Sequence, residues 1–126
     1  MNKLFFAAFL CVLSLSSCHK NNLEERAAKE AQEYTRRECP RPVAENIMQD
    51  SMVYESDSRT IVYYYTLNGV LDNKTELHKH IGEYNRELSQ SIKSSAALRR
   101  YVEAGFRFRY IYRSEGTGDV LLDLKF

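Results

Sequence analysis

Thr60-Ile61-Val62-Tyr63-Tyr64-Tyr65-Thr66-Leu67 is the stretch on which the fold turns. Every residue but Leu67 is β-branched or aromatic, and such side chains suit a pleated surface. Ile61, Tyr63, Tyr65 and Leu67 fall on one face, Val62 and Tyr64 on the other. A strand that is apolar on both faces belongs inside a sheet. Just before it, Ile47 to Glu55 reads as a second strand, and Ser56-Asp57-Ser58-Arg59 suits the turn of a hairpin. Just after it, Asn68-Gly69 is a turn signal, with Val70 and Leu71 extending the ladder briefly.

Further outward the period changes. From Asp72 to about Lys93, the residues Leu77, Ile81, Tyr84, Leu88 and Ile92 recur at steps of four, three, four and four, which marks the buried face of one main helix. Gly82 on that helix is read as a point of close backbone approach, with a mild kink as the other reading. A short helix from Ala96 to Ala104 follows, capped by Ser94 or Ser95 and ended by Gly105. Phe106, Phe108, Tyr110 and Tyr112 then alternate with Arg107, Arg109, Ile111 and Arg113, the pattern of a half-buried strand. After the turn Ser114 to Gly118, Val120, Leu122, Leu124 and Phe126 form the last apolar face. Ahead of the first hairpin, Leu23 to Glu38 is helical in composition, with Ala27, Ala31 and Tyr34 on a narrow apolar stripe, and Pro40 and Pro42 stop it. The expected fold is α+β: an antiparallel four-stranded sheet packed by helices on one face, in the order α-β-β-α-α-β-β.

The start of the chain has the layout of an export signal. Lys3 gives a positive beginning, and Leu4 to Leu13 is an apolar run of ten residues. That is too short to span a bilayer, which needs roughly 20 apolar residues, and it suits a cleaved leader. Leu15-Ser16-Ser17-Cys18 resembles the lipobox of bacterial lipoproteins. The resemblance implies cleavage before Cys18, a diacylglycerol on its thiol and an acylated new amine, and two or three acyl chains hold stably where one is marginal. A plain signal peptide containing a cysteine is the alternative. The expected organisation is a signal peptide over 1–17, a lipidated tether over 18–22 and a single α+β domain over 23–126. His19 to Asn22 carry no acidic residue, which favours the periplasmic leaflet of an outer membrane. Between Cys18 and Leu23 an extended chain reaches at most about 17 Å, so the domain works close to the membrane.

The 126 residues carry 18 Lys and Arg against 17 Asp and Glu. Lys3 is the only charged residue before Cys18, so the mature chain is balanced and nothing predicts wholesale binding of nucleic acid or anionic lipid. Of three cysteines, Cys11 leaves with the signal and Cys18 is lipidated, leaving Cys39 without a partner for an internal disulfide. Cys39 is either buried and inert beside Pro40 or available for an intermolecular bridge.

Two blocks resemble a group of small exported bacterial proteins of uncharacterised function. The first is Cys39-Pro40-x-Pro42-Val43 with Tyr54 and Ile61-Val62-Tyr63-Tyr64-Tyr65-Thr66-Leu67. The second is Leu98 with Gly105-Phe106-x-Phe108-x-Tyr110-Ile111-Tyr112-Arg113 and the terminal strand. The resemblance spans roughly residues 35–126. Some members carry a second cysteine before the late hairpin; Ser94-Ser95-Ala96 stands there in this chain. The group brings no activity, cofactor or catalytic residue with it.

Few side chains suggest chemistry. Glu76 and His80 stand at i and i+4, where two ligands could share a metal, but two ligands make no site, and His78 points elsewhere on the helix. A Cys39 nucleophile activated by an imidazole has nothing in sequence to orient it. Gly116-x-Gly118 leads into no helix and is not a phosphate loop. No catalytic, metal or cofactor residue is assigned. The candidate partner surface is Tyr64, Arg107, Arg109 and Arg113, with Lys125 facing the same way. Arginine beside aromatic rings suits protein contacts, anionic headgroups or sugars, and a solvated sheet face guarded by charge is the plainer reading. The leading expectation is a non-catalytic lipoprotein, held to the membrane through Cys18, that binds a protein partner. The runner-up is a small ligand-binding protein or enzyme using a helix–sheet pocket or Cys39.

Overall fold

The computed structural model describes residues 22–126. The export signal and Cys18 lie outside the described residues. A helix, α1, covers 22–38. After it come β1 (Arg41–Ala44), β2 (Ile47–Glu55), β3 (Thr60–Leu67), a 3-10 turn (Gly69–Leu71), α2 (Lys74–Lys79), α3 (Ile81–Ser94), α4 (Arg99–Glu103), β4 (Arg107–Ser114) and β5 (Val120–Lys125). The fold is α+β, and both hairpins form where the period-2 patterns place them. The sheet differs from the expected four antiparallel strands in two ways.

It has five strands, in the order β1-β2-β3-β4-β5. The extra strand, β1, pairs Arg41 with Gln49 and Pro42 with Met48. Four exposed residues including a proline carry no strand pattern, and an edge is where proline's missing N–H is tolerated. The sheet is also mixed: β3 and β4 run parallel, from Thr60 beside Arg107 to Leu67 beside Ser114. The physical reason is the connection. Residues 68–106 return through three helices to the end where β3 begins, and parallel neighbours need such a long crossover. Alternation within a strand is the same for both directions, so it could not distinguish them.

The main helix is two helices. It breaks at His80 (φ −111°, ψ 14°), whose N–H turns back to the Leu77 and His78 carbonyls. Gly82 makes no close approach, since a Cβ there would meet nothing within 4 Å. The following helix starts at Arg99, after a turn in which Leu98 N–H donates to Ser95 Oγ at 3.3 Å. A bulge in the β4–β5 ladder, between the Tyr112–Leu122 and Arg113–Val120 pairs, buries Leu121 and leaves Val120 exposed, where alternation placed Val120 on the apolar face.

The described helices pack on one face. Ala27, Ile92 and Tyr101 share a core cluster with Ile61, Tyr63, Phe108, Tyr110 and Leu124. Leu77 joins Leu67, Leu121 and Leu122 in a second cluster. Helix α1 lies along β2 in the opposite direction. Tyr54 Oη donates to Glu24 Oε1 at 2.8 Å, Thr35 Oγ1 both accepts from Met52 N–H and donates to Met52 O at 2.9 Å, and Tyr34 Oη donates to Gln49 Oε1 at 2.6 Å. Small residues at Ala27 and Ala31, both fully covered, let α1 sit close to the strands.

The candidate binding groove and the arginine face

The apolar stripe of the α2–α3 pair is not evenly covered. Leu77 and Ile92 at its ends are buried, but Ile81, Tyr84 and Leu88 between them remain half-exposed. The reason is a groove of about 500 Å³ between α3 and the sheet. Its helix wall is Tyr84, Glu87, Leu88 and Ser91. Its floor comes from Leu67, Tyr112, Leu122 and Leu124, and Ile47, Leu71 and Leu77 close its end. Polar groups are few: the phenols of Tyr84 and Tyr112, the Glu87 carboxylate and the Ser91 hydroxyl. Burial, then the nearby Tyr110 and Tyr84 phenols, push the Tyr112 hydroxyl well above its ordinary range, so it is a neutral donor. No cysteine or histidine lines the groove. An apolar cleft with few polar groups binds and orients; it offers no nucleophile with a base.

The sequence brought out Leu77, Tyr84 and Leu88 as one stripe and assigned them to the core. What it missed is that a cleft lies between the middle of the stripe and the sheet, so these residues are covered only in part. Ser91 and Glu87 carried no signal at all.

On the opposite face the cross-strand register sets Val62 beside Arg109, Tyr64 beside Ile111 and Thr66 beside Arg113, with Lys125 beside Arg109. The candidate residues Tyr64, Arg107, Arg109 and Arg113 therefore share that face, but they are not equivalent. Arg109 is held by Asp123 in a two-pronged pair, Nε to Oδ1 at 2.8 Å and Nη2 to Oδ2 at 2.6 Å. The hydrogen bond to Arg109 draws the Asp123 carboxyl below the ordinary carboxylate range. Val62 and Ile111 are buried on this face, and Tyr64 is half-buried. Arg107 and Arg113 are exposed and form no ion pair among the described residues; six residues along a strand set them roughly 20 Å apart.

The remaining candidates are dispersed. Cys39 is half-buried, and loss of water around it raises its thiol pKa, which disfavours the thiolate. Glu76 is taken by Lys79 Nζ at 2.8 Å, His80 Nδ1 lies 3.7 Å from Glu83, and His78 Nε2 sits 3.0 Å from the Leu121 carbonyl oxygen. Among the described residues no three His, Cys, Asp or Glu side chains gather as metal ligands. No helix among them is long and apolar enough to cross a membrane.

Residues 22–122 match a family described as a domain of unknown function, DUF8479. The chain belongs to the DUF8479 family. No curated protein matches it. Two solved structures share the fold of this DUF8479 chain. One, from Pseudomonas aeruginosa, is described as a secreted protein; it has a TM-score of 0.72 and 16% identity, covering 83% of this chain and 88% of its own. The other is a pilotin from the type 2 secretion system of Vibrio vulnificus, with a TM-score of 0.55 and 14% identity, covering 83% of this chain and 87% of its own. At such identities the likeness is one of fold.

Proposed function

We propose that this chain is a lipid-anchored, non-catalytic binding module of the bacterial envelope. It is held by lipid on Cys18, most simply on the outer membrane facing the periplasm, and it receives a protein partner in the groove between α3 and the sheet. The observation that carries the binding reading is the groove. It leaves Tyr84 and Leu88 half-exposed over an apolar floor, and large apolar side chains lining a preformed cleft are what helical or extended peptide segments dock into. The lipobox-like Leu15-Ser16-Ser17-Cys18 supports the anchor. A pilotin and a protein described as secreted among the folds it resembles support an envelope setting. A volume of about 500 Å³ also lies within the range of small-molecule pockets, which favours a small apolar ligand as the second reading.

The test is cross-linked capture from native membranes with three forms: wild type, Leu88→Arg and Cys18→Ser. A defined partner enriched by wild type and lost with Leu88→Arg supports the groove. Equal capture by the two refutes it. A Cys18→Ser protein that is still processed and stays on the membrane defeats the anchor. Ligand that copurifies with wild type but not with Leu88→Arg, in the absence of a protein partner, turns the assignment to the second reading.

A further inference from the structure

The two ends of the sheet are unlike. The groove sits at one end, closed by Ile47 and Leu71. The other end gathers the β2–β3 turn, the start of β4, the end of β5 and the first turn of α1. Glu24 of α1 accepts from Tyr54 and lies 3.6 Å from Arg59 Nε, Arg59 O accepts from Arg107 N–H, and the Arg59 guanidinium stacks over Phe106 at 4.6 Å. This is therefore the end from which the tether to Cys18 departs. Four residues stand between Cys18 and Leu23, a reach of at most about 17 Å. At this same end, between the β2–β3 turn and the start of β4, lies an open cleft of about 590 Å³. Arg107, Arg109 and Lys125 line it, with Glu55 as its acidic side chain, and Phe106 and Phe126 supply apolar walls. Arg109 is neutralised by Asp123, but Arg107 and Lys125 are exposed and have no ion pair among the described residues.

We propose, resting on the lipid anchor argued above, that this end of the sheet is seated on anionic phospholipid headgroups. Arg107 and Lys125 meet the phosphates, and the groove is thereby turned away from the bilayer. Charge complementarity and tether length both select this occupant. An unpaired guanidinium and an unpaired ammonium suit phosphodiester oxygens, and the tether lets no other end of the molecule approach the lipid as closely. The eight residues of β3 separate the two ends by roughly 23 Å, so the groove opens to the periplasm and takes its partner from that side.

The chain contains no tryptophan, which gives a clean probe. The lipidated chain, carrying either Ser58→Trp in the β2–β3 turn or Val70→Trp at the far end, is placed in phosphatidylethanolamine–phosphatidylglycerol vesicles containing a dansyl headgroup lipid. Energy transfer from Ser58→Trp is expected to exceed that from Val70→Trp severalfold. Each of Arg107→Gln and Lys125→Gln should lower the equilibrium constant for seating about fivefold, so the excess should shrink with each change, and also in phosphatidylcholine. Both glutamine changes are at exposed positions, and an unchanged circular dichroism spectrum and thermal midpoint report that the fold is kept. Equal transfer from the two tryptophans in protein that floats with the vesicles in 1 M salt overturns the seat alone. An excess that ignores both charge changes overturns the assignment to Arg107 and Lys125. Protein that fails to float in 1 M salt has no anchor, and the seat falls with the function it rests on.

Discussion

Arg109 on β4 reaches diagonally to Asp123 on β5, two residues from its cross-strand partner Lys125, and the two form a two-pronged pair on a sheet face where Val62 and Ile111 are buried between the strands. The geometry is that of the stronger surface pairs, but about a third of each side chain meets water. Such pairs are worth up to about 1 kcal/mol. Asp123→Asn is expected to lower the unfolding free energy by about that amount at pH 7, read by urea denaturation. The carboxyl is depressed in the folded state, so its contribution is present above the unfolded pKa, near 4, and disappears as pH falls through the lower folded value. The stability gap between wild type and Asp123→Asn should be constant from pH 7 to about 5 and close toward pH 2. A gap independent of pH would mean that the pair contributes nothing ionic.

Two glycines are expected to respond in opposite directions. Gly69 opens the 3-10 turn at φ 57°, and a Cβ there would lie 2.8 Å from Asn46 Oδ1 in the β1–β2 turn. Gly69→Ala should cost about 1–2 kcal/mol, chiefly through the left-handed backbone, because the Asn46 amide end can shift. Gly82, near the start of α3, has an ordinary helical φ and open space around it. Gly82→Ala should stabilise by about 0.5–1 kcal/mol. Thermal melts of the two variants test both signs at once.

The outcome at Gly82 shows where sequence reading stops. Tyr63 and Tyr110 stack at 4.8 Å in neighbouring strands, and both were legible as inward residues from alternation alone. That alternation is local, and it fixed both hairpins with their turns. Nothing local says that Thr60 and Arg107 begin side by side, because that depends on how the 39 residues between the end of β3 and the start of β4 fold back. The strand β1 was illegible for a related reason: its pairing is with Gln49 and Met48, while its own residues are exposed and proline-rich. The groove failed differently. The Leu77 to Ile92 stripe was visible, but a stripe records what a helix would bury and not whether the sheet reaches far enough to bury it. The arginine face was legible as a face, and the engagement of Arg109 by Asp123 was not, because it joins residues 14 apart across a ladder with a bulge.

Helix α1 is fitted to the sheet by small side chains. Ala27 is 1% exposed and belongs to the main cluster with Ile61 and Phe106. Ala27→Leu would force several methyl groups into a filled space, and overpacking of this kind costs about 1–3 kcal/mol. Ala28, one position along, is exposed, and Ala28→Leu should change stability by no more than about 0.5 kcal/mol. Denaturant midpoints of the two variants decide the register of α1. Equal midpoints would mean that α1 does not rest on Ala27.

The last prediction concerns alkali. Tyr54, Tyr63, Tyr65, Tyr101, Tyr110 and Tyr112 all have phenols held neutral above their ordinary range, and burial is the first cause in each. Carboxylates reinforce two of them: Glu24 accepts from Tyr54, which is pushed up to about 12, and Glu30 accepts from Tyr101 at 2.7 Å. In the unfolded chain these groups ionise near pH 10. A raised folded pKa gives stability that is fully present below the unfolded value and is lost as pH rises through the folded one. The protein should therefore hold its stability to about pH 10 and lose it steeply above. At pH 11 the phenolate absorbance of the native protein should fall well short of that in denaturant, since six of its nine tyrosines are withheld. Tyr54→Phe removes one of these groups together with its hydrogen bond to Glu24, so the native–denatured absorbance difference should shrink by about one tyrosine. A native protein whose nine phenols all titrate near pH 10 would contradict the stacked, helix-covered tyrosine face on which the groove is built.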